Sequence, residues 1–251
     1  KLSTTVKVRI YSNDYQIARL DKETIYSGNL SNSIASKLIK NIDKYDAIIV
    51  SDYGKGDINK SLIKLISKAS KKKVIVGIDP YSKSKKIYKN STFITPNLKE
   101  FEILVGKKVN SKNIKQLSQN LKKELKLKYL IITAGSKGIH YIDGNNIYRH
   151  SEAHAKSVYD VIGAGDTVLS IITAFLGLKS SISNAVRYSL IGGSVVVQKK
   201  GTSYVSKEEL FSSDSDANKI FILKKFLLER RLFNEKKIIF TNGCFDIFHA
   251  G

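Results

Sequence analysis

A chain of 251 residues with 42% hydrophobic content is long enough for one large domain, or one and part of another, around a sizeable core. No apolar run approaches the ~18 residues of a membrane span. No secretory signal is visible, and the single cysteine, Cys244, excludes an intrachain disulfide and fits a reducing cytoplasm. The net charge of +21 raises nucleic acid as a partner, but only six of the basic residues are arginine. The lysines scatter over expected helix faces and loops without aromatic interleaving. That pattern predicts weak, nonspecific adhesion to polyanions rather than specific nucleic-acid binding.

In chain order, residues 4–10 (TTVKVRI) and 15–20 (YQIARL) alternate as two strands, with Ser12, Asn13 and Asp14 as the turn. A helix is expected around 31–41. YDAIIVSD (45–52) is a short apolar run ending in polar residues, as a buried parallel strand would be. INKSLIKLISKASKK (58–72) has apolar residues at helical spacing, and VIVGIDP (74–80) is the next strand. STFITPN (91–97) is another, with a helix from 98. A helix at about 111–124 precedes the strand KYLIITAG (128–135), and GIHYIDG with NIYRHS reads as a hairpin. The order β-α-β-α-β-α-β implies an α/β layer with a mainly parallel sheet. From about residue 206 the chain turns polar, then strongly helical over 220–237, and 238–251 (IIFTNGCFDIFHAG) reads as a new strand, loop and helix start.

In such sheets ligands bind at the carboxyl ends of the strands. Asp52, Tyr53 and Lys55 follow one strand, Asp79 the next, Asn97 and Glu100 the third, and Thr133, Gly135 and Gly138 the fourth. YDVIGAGDTV (159–168) ends an extended segment and opens a buried helix over Thr167 to Phe175. Gly163, Ala164 and Gly165 then sit at a helix N-terminus, where unpaired N–H groups and the helix dipole favour an anion that small side chains let approach. Asp166 adds a carboxylate to that anion site, which makes sense if it takes a proton from a nucleophile attacking a bound phosphate. The plainer reading is an ordinary turn with aspartate as the N-cap. For Glu100 it is a first-turn helix acid.

TPNLKEFE, ITAGSKG, DVIGAGDT and GTSYVS, in this order and spacing, resemble the ribokinase-like (PfkB) sugar kinases. TTVKVRI…QIARLD, SDYGKG and IDP narrow the likeness. FTNGCFDIFHAG resembles the start of a cytidylyltransferase-like nucleotidyltransferase, a fusion found in the bifunctional heptose-7-phosphate kinase/heptose-1-phosphate adenylyltransferases of ADP-heptose and lipopolysaccharide core synthesis. The resemblance implies a ribokinase-like α/β fold with a partial β lid. It also implies a kinase domain over 1–212, a linker and connecting helix over 213–237, and the first strand of a Rossmann-like nucleotidyltransferase in 238–251.

The implied roles follow the motifs. Asp166 is the general base, and Gly163, Ala164 and Gly165 offer N–H groups to the transferring phosphoryl. Asn97, Leu98, Lys99, Glu100, Thr133, Gly135, Gly138, Gly201 and Thr202 bind ATP. Gly201, Thr202 and Ser203 lie near the adenine or a monovalent cation. Glu100 holds Mg²⁺ through water, and Asp52 and Lys55 face the sugar phosphate. Thr241, Asn242, Gly243 and His249 are the nucleotidyltransferase remnant. ATP and Mg²⁺ are the implied cofactors, with a monovalent cation as a third candidate. The implied setting is a cytoplasmic homodimer with no membrane partner.

Three positions depart from the family pattern: Ile162 stands where threonine is usual, Tyr81 where lysine is, and Leu190 where asparagine is. The family's N-terminal Gly-Gly sugar-binding segment is missing. Lys1 is not a start methionine and the chain has no methionine at all, so a piece of a longer protein is expected. A kinase for another sugar or a nucleoside, and a non-catalytic nucleotide-binding fragment, are the alternatives.

Overall fold

The structure, a computed structural model, describes residues 6–12, 15–22, 36–54, 60–81, 85–153 and 159–211. The chain divides into two units, Lys1–Leu210 and Phe211–Gly251, and every element named below belongs to the first. The expected connecting helix over 213–237 and the strand from 238 fall outside the described residues.

Strands β1 (Val6–Ser12) and β2 (Tyr15–Lys22) form an antiparallel ribbon. Ser12 pairs with Tyr15, so it ends a strand and only Asn13 and Asp14 connect the two. Strands β3 (Ala47–Ser51), β4 (Ile75–Asp79), β5 (Phe93–Ile94), β6 (Tyr129–Thr133), β7 (Ile139–Ile142) and β8 (Tyr148–Ser151) build a second sheet in that order. The first four run parallel, and the hairpin β7–β8 adds two antiparallel strands at one edge.

Alternation along these strands sorts their side chains into two cores, one on each face of the sheet. Val76, Ile78, Ile94, Leu130, Ile132 and Ile142 point to one face. Helices α1 (Lys60–Lys71), α2 (Leu98–Val105) and α3 (Ile114–Leu125) cover them. Helix α1 contributes Leu62, Leu65, Ile66 and Ala69, all buried and spaced as one helical stripe. Phe93, Ile131, Ile139 and Tyr141 point to the other face, beneath α4 (Ala164–Gly177) and α5 (Ile182–Val197). Among the described residues no helix is long and apolar enough to cross a membrane.

The regular alternation lapses between β4 and β5. There the described residues form only a short 3-10 turn, Lys85–Tyr88. The lysine- and serine-rich stretch offers too few apolar positions to cover a helix face. The expected strand over 91–97 shortens to two residues, although Thr95 N–H still bonds to Ile78 O (2.9 Å), because Pro96 has no donor with which to extend the ladder. Helix α3 begins at Ile114 rather than 111, after a turn in which Asn110 Oδ1 accepts from the N–H groups of Lys112 and Asn113. Residues 159–163 are bent rather than extended: the N–H groups of Tyr159 and Asp160 both donate to Val197 O (2.7 and 3.1 Å) at the end of α5.

Gly77, in the middle of β4, lies beneath α4. A Cβ there would fall 2.5 Å from Phe93 Cζ and 2.6 Å from Thr173 Oγ1. Phe93 is fully buried and its ring cannot yield as a flexible chain end would. Gly77→Ala is therefore expected to destabilise the protein by about 1–3 kcal/mol through overpacking, measured as a shift of the urea unfolding midpoint. At Gly192, within α5, the crowding atom is only the Ile171 Cδ1 methyl at 2.2 Å. Alanine there gains helix propensity and should cost much less.

Candidate functional site

Parallel pairing brings the carboxyl ends of β3 to β6 to one edge. Asp52 N–H bonds to Asp79 O (3.0 Å), Thr133 N–H bonds to Pro96 O (3.0 Å), and Asn97 and Thr133 form an isolated parallel bridge. The sequence-derived residues Asp52, Asn97, Glu100 and Thr133 therefore share one edge of the sheet. Lys55 lies outside the described residues, as do Thr241, Asn242, Gly243 and His249.

Asn97 and Glu100 close a capping box on α2. Asn97 Oδ1 accepts from the N–H groups of Lys99 (2.9 Å) and Glu100 (3.0 Å), and Glu100 Oε2 accepts from Asn97 N–H (2.8 Å). Their local spacing thus has a structural reason of its own. Burial nevertheless raises the Glu100 carboxyl above its ordinary value, against the pull of its hydrogen bonds from Asn97. Leu98 is half-buried against the first core and Lys99 is exposed.

Asp79 is the residue the sequence named only as a strand end. Burial first, then the charges of Glu100, Asp166 and Asp52, push its carboxyl up to about 7. Four carboxylates therefore interact across this edge, and Asp166 is one of them. Among the described residues no three His, Cys, Asp or Glu side chains converge tightly enough to hold a metal directly.

Gly163 is the N-cap of α4, with φ 79 in the left-handed region, and Thr167 returns both its N–H (2.9 Å) and its hydroxyl (2.8 Å) to Gly163 O. Ala164 N–H makes a long bond to Val161 O (3.3 Å). Gly165 has neither a positive φ nor crowding: a Cβ there would meet nothing within 4 Å. The fold itself does not demand glycine at 165, and the space above it is open. Asp166, in the first turn, is exposed on the same helix end.

The remaining residues divide. Gly135 (φ 57) and Gly201 (φ 71) adopt left-handed backbone beside open space, whereas a Cβ on Gly138 would strike Ser151 O at 2.0 Å, so Gly138 is required by the hairpin crossing beneath it. Gly201 and the exposed Thr202 follow α5 closely, and the segment leading to Gly163 is hydrogen-bonded to that same helix end at Val197. Asp52 is 6% exposed and already bonded within the protein: Tyr88 Oη donates to Oδ2 (2.6 Å) and Gly54 N–H donates to Oδ1 (2.8 Å). Tyr88 also accepts from Tyr81 N–H (3.2 Å). The Tyr81 ring lies where a Cβ on Gly54 would be, 2.0 Å away. Tyr88 carried no sequence signal, being one aromatic in a lysine-rich stretch. Asp79 carried one in its place directly before Pro80.

Residues 5–209 match the pfkB family of carbohydrate kinases. The bifunctional protein HldE of Hahella chejuensis is 36% identical over 257 residues, covering 100% of this chain and 54% of its own length. Its counterpart in Histophilus somni is 37% identical over 254 residues, covering 99% and 53%. The chain thus spans about half the length of the relatives it matches. Phosphofructokinase-2 from Escherichia coli in complex with potassium superposes with a TM-score of 0.69 at 18% identity, over 80% of this chain and 67% of that one. Arabidopsis thaliana ribokinase complexed with ribose and ATP superposes with a TM-score of 0.62 at 19% identity, over 70% and 58%. At these identities the structural likeness is one of fold.

The Asp79 carboxyl keeps its proton to about pH 7 in the folded chain but only to its ordinary value of 3.8 when unfolded. Between those values the folded state binds more protons, so stability falls as pH rises through the window. Asp79→Asn should therefore gain stability over the parent protein at about pH 8 relative to about pH 5, measured by urea unfolding at both. An equal difference at the two pH values would mean that Asp79 titrates normally.

Proposed function

This chain belongs to the pfkB family of carbohydrate kinases, and from that premise we propose that its strand-edge site moves the γ-phosphoryl group of ATP to a hydroxyl of a sugar phosphate. Asp166 is the general base that takes the hydroxyl proton, and the N–H groups of Gly163, Ala164 and Gly165 face the transferring phosphoryl. Phosphoryl transfer needs chiefly positioning and charge stabilisation, and a helix N-terminus supplies both without reorganisation. The observation that carries the reading is Gly165: open space above a first-turn glycine that the fold does not need, one residue before an exposed carboxylate.

Thr133, Gly135, Gly201 and Thr202 hold the nucleotide, with Asn97 and Glu100 toward its phosphates. A cluster of carboxylates with no tight direct chelate suits Mg²⁺, a hard cation that keeps much of its water. Glu100 and its neighbours would hold it through that shell, where it would neutralise phosphate charge. A monovalent cation is a candidate near Gly201 and Thr202; the superposed phosphofructokinase-2 was crystallised with potassium.

For the acceptor we take the anomeric hydroxyl of heptose 7-phosphate, on the resemblance of SDYGKG, IDP and the tail set out above, supported by the relatives named bifunctional protein HldE. Asp52 acts there by shaping the loop after β3, where Lys55 follows. The kinase domain runs through residue 212, 213–237 is linker and connecting helix, and 238–251 begins a nucleotidyltransferase domain.

ADP release by the full-length protein, with Mg·ATP and a panel of sugar phosphates, tests the reading. Heptose 7-phosphate should be the preferred acceptor, and no release with any sugar phosphate would overturn it. Asp166→Asn should lower turnover by about 10²–10⁴-fold with little change in ATP affinity. Gly165→Ala separates fold from function. Its Cβ meets nothing in the protein, so the melting temperature should hold or rise while turnover drops. Full activity in both variants would sink the assignment of this helix end.

A further inference from the structure

The hairpin β7–β8 carries a column of side chains that the proposed reaction leaves unused. His140 and His150 pair across the strands, their rings stacked at 4.2 Å between centroids and 16° between planes. His140 Nδ1 lies 2.7 Å from Tyr148 Oη, and His150 Nε2 lies 2.7 Å from Lys137 O. A carbonyl only accepts, so His150 must carry its proton on Nε2 and donate it to Lys137 O. Burial, with the neighbouring His150 and Lys137, holds His140 down to about 4, so its ring is neutral near pH 7. Burial also raises the Tyr148 hydroxyl above its ordinary value, and it shares a hydrogen bond with His140 Nδ1 whose direction follows the imidazole tautomer.

Lys137 closes the 3-10 turn Gly135–Lys137, directly after Thr133 and Ala134. The turn is bounded by two glycines with positive φ, Gly135 and Gly138, the most permissive backbone available. Backbone bonds from Ala134 N–H to Gly138 O (2.8 Å) and from Gly138 N–H to Gly135 O (3.0 Å) close it internally. Among the described residues, the bond from His150 is the one side-chain hydrogen bond made onto it.

We propose that His150 is a positioning residue for the nucleotide: its Nε2–H, aimed by the stack on His140, clamps the Lys137 carbonyl and fixes the glycine-bounded turn where Thr133 and Gly135 meet ATP. The proposal rests on the reading of that turn as a nucleotide contact. His150 itself touches neither substrate.

Two variants separate the hydrogen bond from the stack. His150→Phe keeps an aromatic ring on His140 and loses the donor, whereas His150→Gln loses the ring and keeps an N–H. In the full-length protein, His150→Phe should raise the KM for ATP about 2- to 10-fold, the size of one lost neutral hydrogen bond. Its kcat and its KM for the sugar phosphate should stay within about twofold, and its melting temperature near that of the parent. His150→Gln should restore most of the ATP affinity. An unchanged KM for ATP in His150→Phe, an equal rise in both variants, or a joint shift of every kinetic constant with the melting temperature would overturn the clamp. Calorimetric titration with ATP gives the same comparison without turnover. A parent protein that binds ATP but forms no ADP would refute the kinase reading and leave the clamp to be judged by the variants' affinities. A parent that does not bind ATP would refute both.

Discussion

Where α4 rests on the sheet decides where its N-terminus points, and that seating depends on Gly77 lacking a side chain. Thr173 and the ring of Phe93 occupy the volume a Cβ would need. Thr173 lies two turns along the helix from Asp166, roughly 10 Å away at 1.5 Å per residue. A rigid helix carries any displacement at the crossing to the exposed end that bears Gly163, Gly165 and Asp166. The core beneath α4 is close-packed, with Leu169 and Ile172 essentially inaccessible, so the helix has little freedom to settle elsewhere. Packing in the middle of the molecule thus sets the geometry of a proposed phosphate site at its edge.

At that edge the electrostatics run against stability. Four carboxylates drawn to one side of a sheet repel each other, and Asp79, desolvated by burial and facing the other three charges, responds by holding its proton. A fold selected for stability alone would replace or pair these groups. Their persistence beside a helix N-terminus makes sense where cations and phosphates arrive together, because a bound cation offsets the repulsion and the helix dipole offsets the incoming negative charge. Asn97 and Glu100 show how one pair of residues can meet both demands. Their capping box holds the first turn of α2 in place, and the same geometry keeps the Glu100 carboxylate at the edge.

Much of this was legible in the sequence, because periodicity and turn chemistry are local. The apolar stripe of α1, the parallel strands 47–51, 75–79 and 129–133, the hairpin and the glycine at the start of α4 all follow from spacing. What escaped was decided by distant partners. The bend over 159–163 comes from Val197, nearly forty residues away in sequence, whereas the shortness of β5 has a local cause in Pro96, two positions past its end. Asp79 read as an ordinary strand end, since its raised proton affinity depends on Glu100, Asp166 and Asp52 arriving from other elements. Tyr88 could not be found at all, because its bond to Asp52 spans a stretch with no pattern of its own. The roles of Lys55 and of the C-terminal residues rest on resemblance alone.

The three departures from the family pattern acquire local reasons. Leu190 packs on the second core, so an apolar residue at that position serves the α4–α5 layer. Tyr81 lays its ring over Gly54 and gives its N–H to Tyr88, which in turn holds Asp52. Ile162 is half-buried and donates its N–H to Asp160 Oδ1 (2.9 Å), which keeps the approach to Gly163 bent without a side-chain hydroxyl. None of these changes touches the first turn of α4. Gly163 is left-handed, the face of Gly165 is open and the carboxylate of Asp166 is exposed with Ile162, Tyr81 and Leu190 in place. The departures therefore lie outside the three features on which the proposed base and phosphate site rest.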